Sequence, residues 1–99
     1  MMFRKKHELK TDSDMFQLVW DRVKGYEIRL DDREFAVGDT LVLRETIHSG
    51  DTMYFGVPLL YTGREVTATV THVLCARYGL ADRWVILSMG NIKTGEGEK

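Results

Sequence analysis

Cysteine, proline and a surplus of either charge are what this sequence has least of, and each shortage closes off a class of protein. Cys75 stands alone among 99 residues, so no internal disulfide can staple the fold. The three histidines, His7, His48 and His72, lie far from one another and from Cys75, which does not make a metal site. Neither a glycine-rich phosphate loop nor a strained nucleophile turn occurs, and no cofactor is expected. No run approaches the roughly 20 apolar residues of a membrane span. The first eight residues carry charges with no apolar stretch behind them, unlike a secretory leader. Together these features predict a cytoplasmic protein with no membrane partner. The formal net charge of −1 argues against gripping long duplex nucleic acid by charge alone, because phosphate contacts need clustered Lys and Arg. A local basic pocket is still allowed.

What the chain does have is enough apolar material for one core. Hydrophobic residues make up 43% and charged residues 29%, ordinary for a single globular domain. One domain is expected over residues 1–90, with the polar, glycine-rich residues 91–99 as a flexible tail. A monomer is the expected state. His7-Glu8-Leu9-Lys10 reads as a short strand, stopped by Thr11-Asp12-Ser13-Asp14, side chains that cap helix starts. Phe16, Val19, Trp20 and Val23 then form one apolar stripe on a helix of about three turns, with Gly25 as its left-handed terminator.

The rest reads as strands. Tyr26, Ile28 and Leu30 alternate with Glu27 and Arg29, which predicts a strand with its apolar side on the core. Thr40 to Glu45 is a second strand after a Gly38-Asp39 turn. Residues 46–63 form a long excursion, read as an extra edge hairpin, since Pro58 argues against a central strand. Glu65 to Leu74 places Val66, Ala68, Val70, His72 and Leu74 on one face, making His72 a hydrogen-bonded core histidine. Trp84 to Met89 is nearly continuous apolar sequence, expected to be buried on both sides. The fold class predicted is therefore mainly β with one principal helix (α+β): a small, partly open β-barrel plugged by the helix.

The stretch with most chemistry is Lys24-Gly25-Tyr26-Glu27-Ile28-Arg29. Glu27 and Arg29 project from the same face of a strand, about 7 Å apart, and Lys24 ends the helix before it. An acid between two cations makes either a polar cleft or a surface salt bridge between strand neighbours, and spacing leaves both open. His7 and Lys10 fall on opposite faces of the first strand; Lys10, beside the helix start, is the candidate for a phosphate or carboxylate contact. Tyr54, Phe55 and Tyr61 either stack on bases or pack under the excursion.

Lys24, Glu27 and Arg29 match a segment of the form G-x-K-x-x-E-x-R found between the first helix and next strand of ASCH domains, relatives of the PUA RNA-binding fold. The leading glycine falls at Arg22 and is absent. His7-Glu8-Leu9-Lys10, Val37 to Glu45, Tyr61 to Val66 and Tyr78-Gly79-Leu80 also resemble, in order, short ASCH-like proteins of bacteria and their phages. The resemblance spans residues 7 to about 89. It implies a PUA-like β-barrel whose cleft takes RNA or a nucleotide-derived ligand, with Lys10, Lys24, Glu27, Arg29 and Tyr61 as the binding residues. It also offers an alternative, hydrolysis of a modified nucleoside as in N4-acetylcytidine amidohydrolases or cleavage of RNA, with Lys24 and Glu27 as catalytic candidates. That branch keeps a threonine where this chain has Glu27, so no hydroxyl nucleophile stands there. A third expectation is a phage or host protein-interaction module using the 46–63 excursion.

Overall fold

In β1 (Lys6–Thr11) residues alternate strictly, so His7, Leu9 and Thr11 face inward and Lys6, Glu8 and Lys10 outward. The computed structural model describes residues 4–97, and Met1, Met2, Phe3, Glu98 and Lys99 lie outside the described residues. After β1 come α1 (Ser13–Trp20), β2 (Tyr26–Leu30), β3 (Thr40–Thr46), α2 (Gly50–Tyr54), β4 (Tyr61–Leu74), a 3-10 turn over Ala76–Tyr78, and β5 (Trp84–Glu96).

The helix follows its apolar stripe, but for two turns rather than three. Phe16 and Val19 are fully buried and Trp20 packs against the core. Val23 lies beyond the helix and is 73% exposed. The stop comes at Arg22, which takes φ 59°, not at Gly25. Val23 N donates to Leu18 O at 2.9 Å and Arg22 N to Val19 O at 3.0 Å, which is a Schellman closure with Arg22 in the left-handed position. The Arg22 guanidinium in turn donates to the carbonyls of Trp20 and Ile92. The glycine missing from the G-x-K-x-x-E-x-R pattern therefore falls where a glycine would be least strained.

All five strands form one sheet in the order β1-β3-β4-β5-β2. β1 runs parallel to β3, and the other neighbours are antiparallel. The sheet curls over α1 into a half barrel that does not close. Its two edges, β1 and β2, share no backbone ladder; two guanidinium groups cross the gap instead. Arg29 Nη1 donates to Lys10 O at 3.1 Å and Arg33 Nη1 to Glu8 O at 2.7 Å. Inside the curve sit Leu9, Phe16, Val19, Leu41, Leu43, Val66, Val70 and Leu87, all buried. Each such aliphatic or aromatic side chain contributes about 1.5–3 kcal/mol by leaving water.

Four further elements depart from the reading of the sequence. The excursion closes through an antiparallel base, Thr46 opposite Tyr61 and Ile47 N donating to Leu60 O, but its tip is the helix α2 rather than a hairpin. Ser49 Oγ caps that helix by accepting from Thr52 N. In β4 the register shifts between Val70 and His72, which turns Val73 toward the core and His72 to solvent, so His72 is not a core histidine. β5 is buried on one side only, through Val85, Leu87 and Met89, with Trp84 exposed. It also continues through residues 91–96, expected as tail, pairing Thr94 with Val66 and Glu96 with Arg64.

The fourth departure shapes the site. β2 is turned over: Tyr26, Ile28 and Leu30 are exposed and Glu27 is buried. Glu27 and Arg29 share the concave face with their ladder partners Leu87 and Val85. A polar pair can occupy that face because β2 is an edge strand, and its inner side meets the end of β1 rather than the middle of the core.

Candidate ligand-binding site

Three short segments meet where the half barrel fails to close. The end of β1 brings Lys10, Thr11 and Asp12; α1 brings Met15; the chain after α1 brings Lys24 and then Tyr26, Glu27, Ile28 and Arg29 of β2. They enclose a hollow of about 400 Å³.

Glu27 organises it. Its side chain is 4% exposed, and both oxygens have cationic partners. Lys24 Nζ donates to Oε1 at 2.7 Å, and Arg29 Nε donates to Oε2 at 3.1 Å. A carboxylate this deep is tolerable only because it is paired and hydrogen-bonded. Arg29 then reaches across the seam, with Nη2 on Thr11 Oγ1 at 3.2 Å in addition to Nη1 on the Lys10 carbonyl. The Lys24 ammonium lies 5.1 Å from the centre of the Tyr26 ring. Lys10, Lys24 and Arg29 against Asp12 and Glu27 give the lining three cations and two carboxylates, a net charge of +1. Asp12 is engaged elsewhere: its Oδ1 accepts from Gly50 N at 3.0 Å and ties the excursion to the rim of the hollow.

The backbone adds to the site. Asp31 N donates to Arg83 O and Gly25 O accepts from Met89 N, so the odd-numbered residues of this stretch bond to β5. By strand alternation the amides and carbonyls of Tyr26 and Ile28 turn the other way, toward the seam.

Of the residues singled out in the sequence, Lys10, Lys24, Glu27 and Arg29 line this hollow and Tyr61 does not. Tyr61 starts β4 and lies under the Arg44 guanidinium, 3.7 Å from its ring centre, while Arg44 also pairs with Glu65 at 3.2 Å. Thr11, Asp12, Met15, Tyr26 and Ile28 belong to the hollow and were not singled out. Thr11 and Asp12 had a signal, as the last residues of a strand that runs into a helix start. The facing of β1 and β2 had none, because those strands do not pair.

Residues 6–89 match the family model described as a domain of unknown function, DUF3850. The chain belongs to this family. It is also similar to a protein of Escherichia phage P2, described as an uncharacterized 12.9 kDa protein in the GpA 3′ region, with 36% identity over 72 residues. The aligned part is 73% of this chain and 57% of the phage protein, so the chain spans little more than half the length of that relative. Lys10, Lys24, Glu27 and Arg29 all fall inside the DUF3850 match. Neither description names a ligand or a reaction.

Two other polar constellations in this DUF3850 domain are occupied by the fold. Glu45, 2% exposed, accepts from Ser13 Oγ at 2.6 Å, Thr62 Oγ1 at 2.8 Å, and Arg64 Nε and Nη2 at 2.9 and 2.8 Å. The Arg64 hydrogen bonds, helped by those of Ser13 and Thr62, outweigh burial and pull its carboxyl down to about 2. The same pair raises the Arg64 guanidinium above its ordinary value. Arg64 lies over Trp20 and Phe16, so this network clamps α1 to β3 and β4. At the other end His7 Nε2 and Asp39 Oδ2 are 2.9 Å apart, both buried, and the His7 ring packs edge-on against Phe35. Burial pushes the Asp39 carboxyl up, but hydrogen bonds from His7 and from the Lys5 and Ala36 amides pull it below its ordinary value. Among the described residues no cluster of His, Cys, Asp and Glu is placed to hold a metal ion, and no helix is long and apolar enough to cross a membrane.

Proposed function

We propose that the hollow binds RNA or a nucleotide-derived ligand, and that the chain is an ASCH-type, PUA-like module acting in the cytoplasm. What supports the reading is one observation: Lys24, Glu27 and Arg29 converge on a sheltered hollow instead of spreading over an open surface. Its net charge suits an anion. Lys24 uses one of its donors on Glu27, and Lys10 sits at the rim, so a phosphate has two ammonium groups to meet. Glu27, held by a cation on each side, is fixed in place as an acceptor for an exocyclic amine. Tyr26 and Ile28 add backbone donors and acceptors of the kind that read base edges.

The binding reading is preferred to hydrolysis on geometry. Lys24 and Arg29 pin the Glu27 carboxylate, leaving each oxygen a lone pair for a hydrogen bond but no freedom to swing onto a reacting centre, and the Thr11 hydroxyl already donates to Leu9 O at 3.2 Å. Turnover of N4-acetylcytidine or of a short RNA by the wild type, lost in Lys24→Ala, would reverse that preference. Tyr54 and Phe55, each 84% exposed on the excursion, favour a second reading in which this arm docks a partner protein. Deleting residues 47–60 would then abolish capture of the partner with the barrel still folded.

The test of the main reading is titration of cytidine monophosphate and of a short single-stranded RNA by calorimetry. Lys24→Ala should weaken both about tenfold or more, the value of a charge-assisted contact. Raising salt from about 50 to about 200 mM should weaken the RNA further. Binding indifferent to both Lys24 and salt would refute it.

A further inference from the structure

We propose that the hollow is one of two adjoining subsites and that the ligand is a single strand occupying at least two nucleotide positions; this rests on the reading above. A second hollow of about 300 Å³ lies beyond Arg29. Ile28 and Arg29 line both hollows, so the two adjoin along the free edge of β2. Either alone is near the lower limit of small-ligand sites, and together they reach its middle.

The second hollow has a different character. Its walls are Leu9, Leu30, Phe35 and Trp84, with Asp32 and Arg33 at the rim. Trp84 is 40% exposed and faces Leu30 across the β2–β5 ladder. An indole with an open face suits stacking, which is tolerant of base identity. A carboxylate and a guanidinium beside it can meet the edge of the stacked base. Both hollows carry charged side chains; the first has the Tyr26 ring beside the Lys24 ammonium, and the second adds the Trp84 indole.

Arg29 is the shared wall, and its guanidinium stands at the boundary that a linking phosphodiester would cross. Along β2, Glu27 and Leu30 are about 10 Å apart. That separation gives a second nucleotide its own place beside the first. A lone nucleotide in the first hollow would leave the Trp84 hollow unfilled.

The experiment compares cytidine monophosphate with the linked dinucleotide of two cytidylates, on the wild type, Trp84→Ala and Trp84→Phe. The dinucleotide should bind the wild type about tenfold tighter than the mononucleotide, the size of one stacked base. Trp84→Ala should remove that gain, costing the dinucleotide about tenfold more than the mononucleotide, and Trp84→Phe should keep most of it. Trp84 is a surface residue, and a thermal melt checks that each variant is folded. A dinucleotide no tighter than the mononucleotide, or equal losses for both in Trp84→Ala, would overturn the two-subsite proposal while leaving Lys24-dependent mononucleotide binding intact. Absence of Lys24-dependent binding for either probe would overturn the parent reading as well.

Discussion

Replacing Glu45 with glutamine should remove most of one acid-sensitive contribution to stability. Glu45 is almost completely buried, and its carboxyl titrates at about 2 in the folded chain against an ordinary 4.5. A depression of that size is worth about 3 kcal/mol to the folded state. Because the folded value is the lower one, the contribution is whole above about pH 4.5 and drains away as pH falls toward 2. Unfolding in urea, followed by tryptophan fluorescence from about pH 7 to about pH 3, measures it. At neutral pH Glu45→Gln should be less stable than the wild type by about 3 kcal/mol, since Arg64 loses its carboxylate. By about pH 3 the gap should shrink by about 2 kcal/mol, because the unfolded wild-type chain then takes up a proton at Glu45 that the folded chain still excludes. Asp39 also acidifies on folding, but both proteins share it and it cancels from the difference. A gap that stays constant across the range would refute the assignment of the acid sensitivity to Glu45.

Two further outcomes follow from the fold. At Arg22, φ 59° makes glycine the better small residue, so Arg22→Gly should be about 1 kcal/mol more stable than Arg22→Ala in thermal or urea unfolding. The reverse order would mean that the position relaxes out of the left-handed region. Asp39→Ala strands the Lys5 and Ala36 amides and His7, and should cost about 3 kcal/mol by the same measurement. A loss below about 1 kcal/mol would show that water replaces the carboxylate freely.

The legible parts of the sequence were those where one period rules. The Phe16–Val19–Trp20 stripe gives α1, and the alternation in β1 and in Val66, Ala68 and Val70 gives inward faces that the structure keeps. Failures came where a local pattern met a distant constraint. The alternation of β2 is real, but which side faces in depends on the curl of a sheet assembled from strands far apart in the chain. The usual preference for burying Tyr26, Ile28 and Leu30 yields because Glu27 brings its own counter-ions from three residues before and two after. A bulge after Val70 flips His72, and no residue there announces it. The strand through residues 91–96 has Ile92 as its one apolar residue, packed against the core, and the rest is polar like most of the start of β4 that it pairs with. For the candidate site, Lys24, Glu27 and Arg29 could be grouped by spacing, and Lys10 by its place before the helix. The hollow itself needed the β1–β2 seam, which leaves no mark on either strand.

That seam also bears on how the molecule avoids its own kind. An open sheet offers its outer strands as templates for neighbouring chains, and aggregation starts at such borders. Here the outward carbonyls of Glu8 and Lys10 on β1 are already capped by arginines, and charged Lys6, Glu8 and Lys10 side chains flank them. The side chains that give the cleft its shape thus also blunt one of the two borders open to fibre-like stacking.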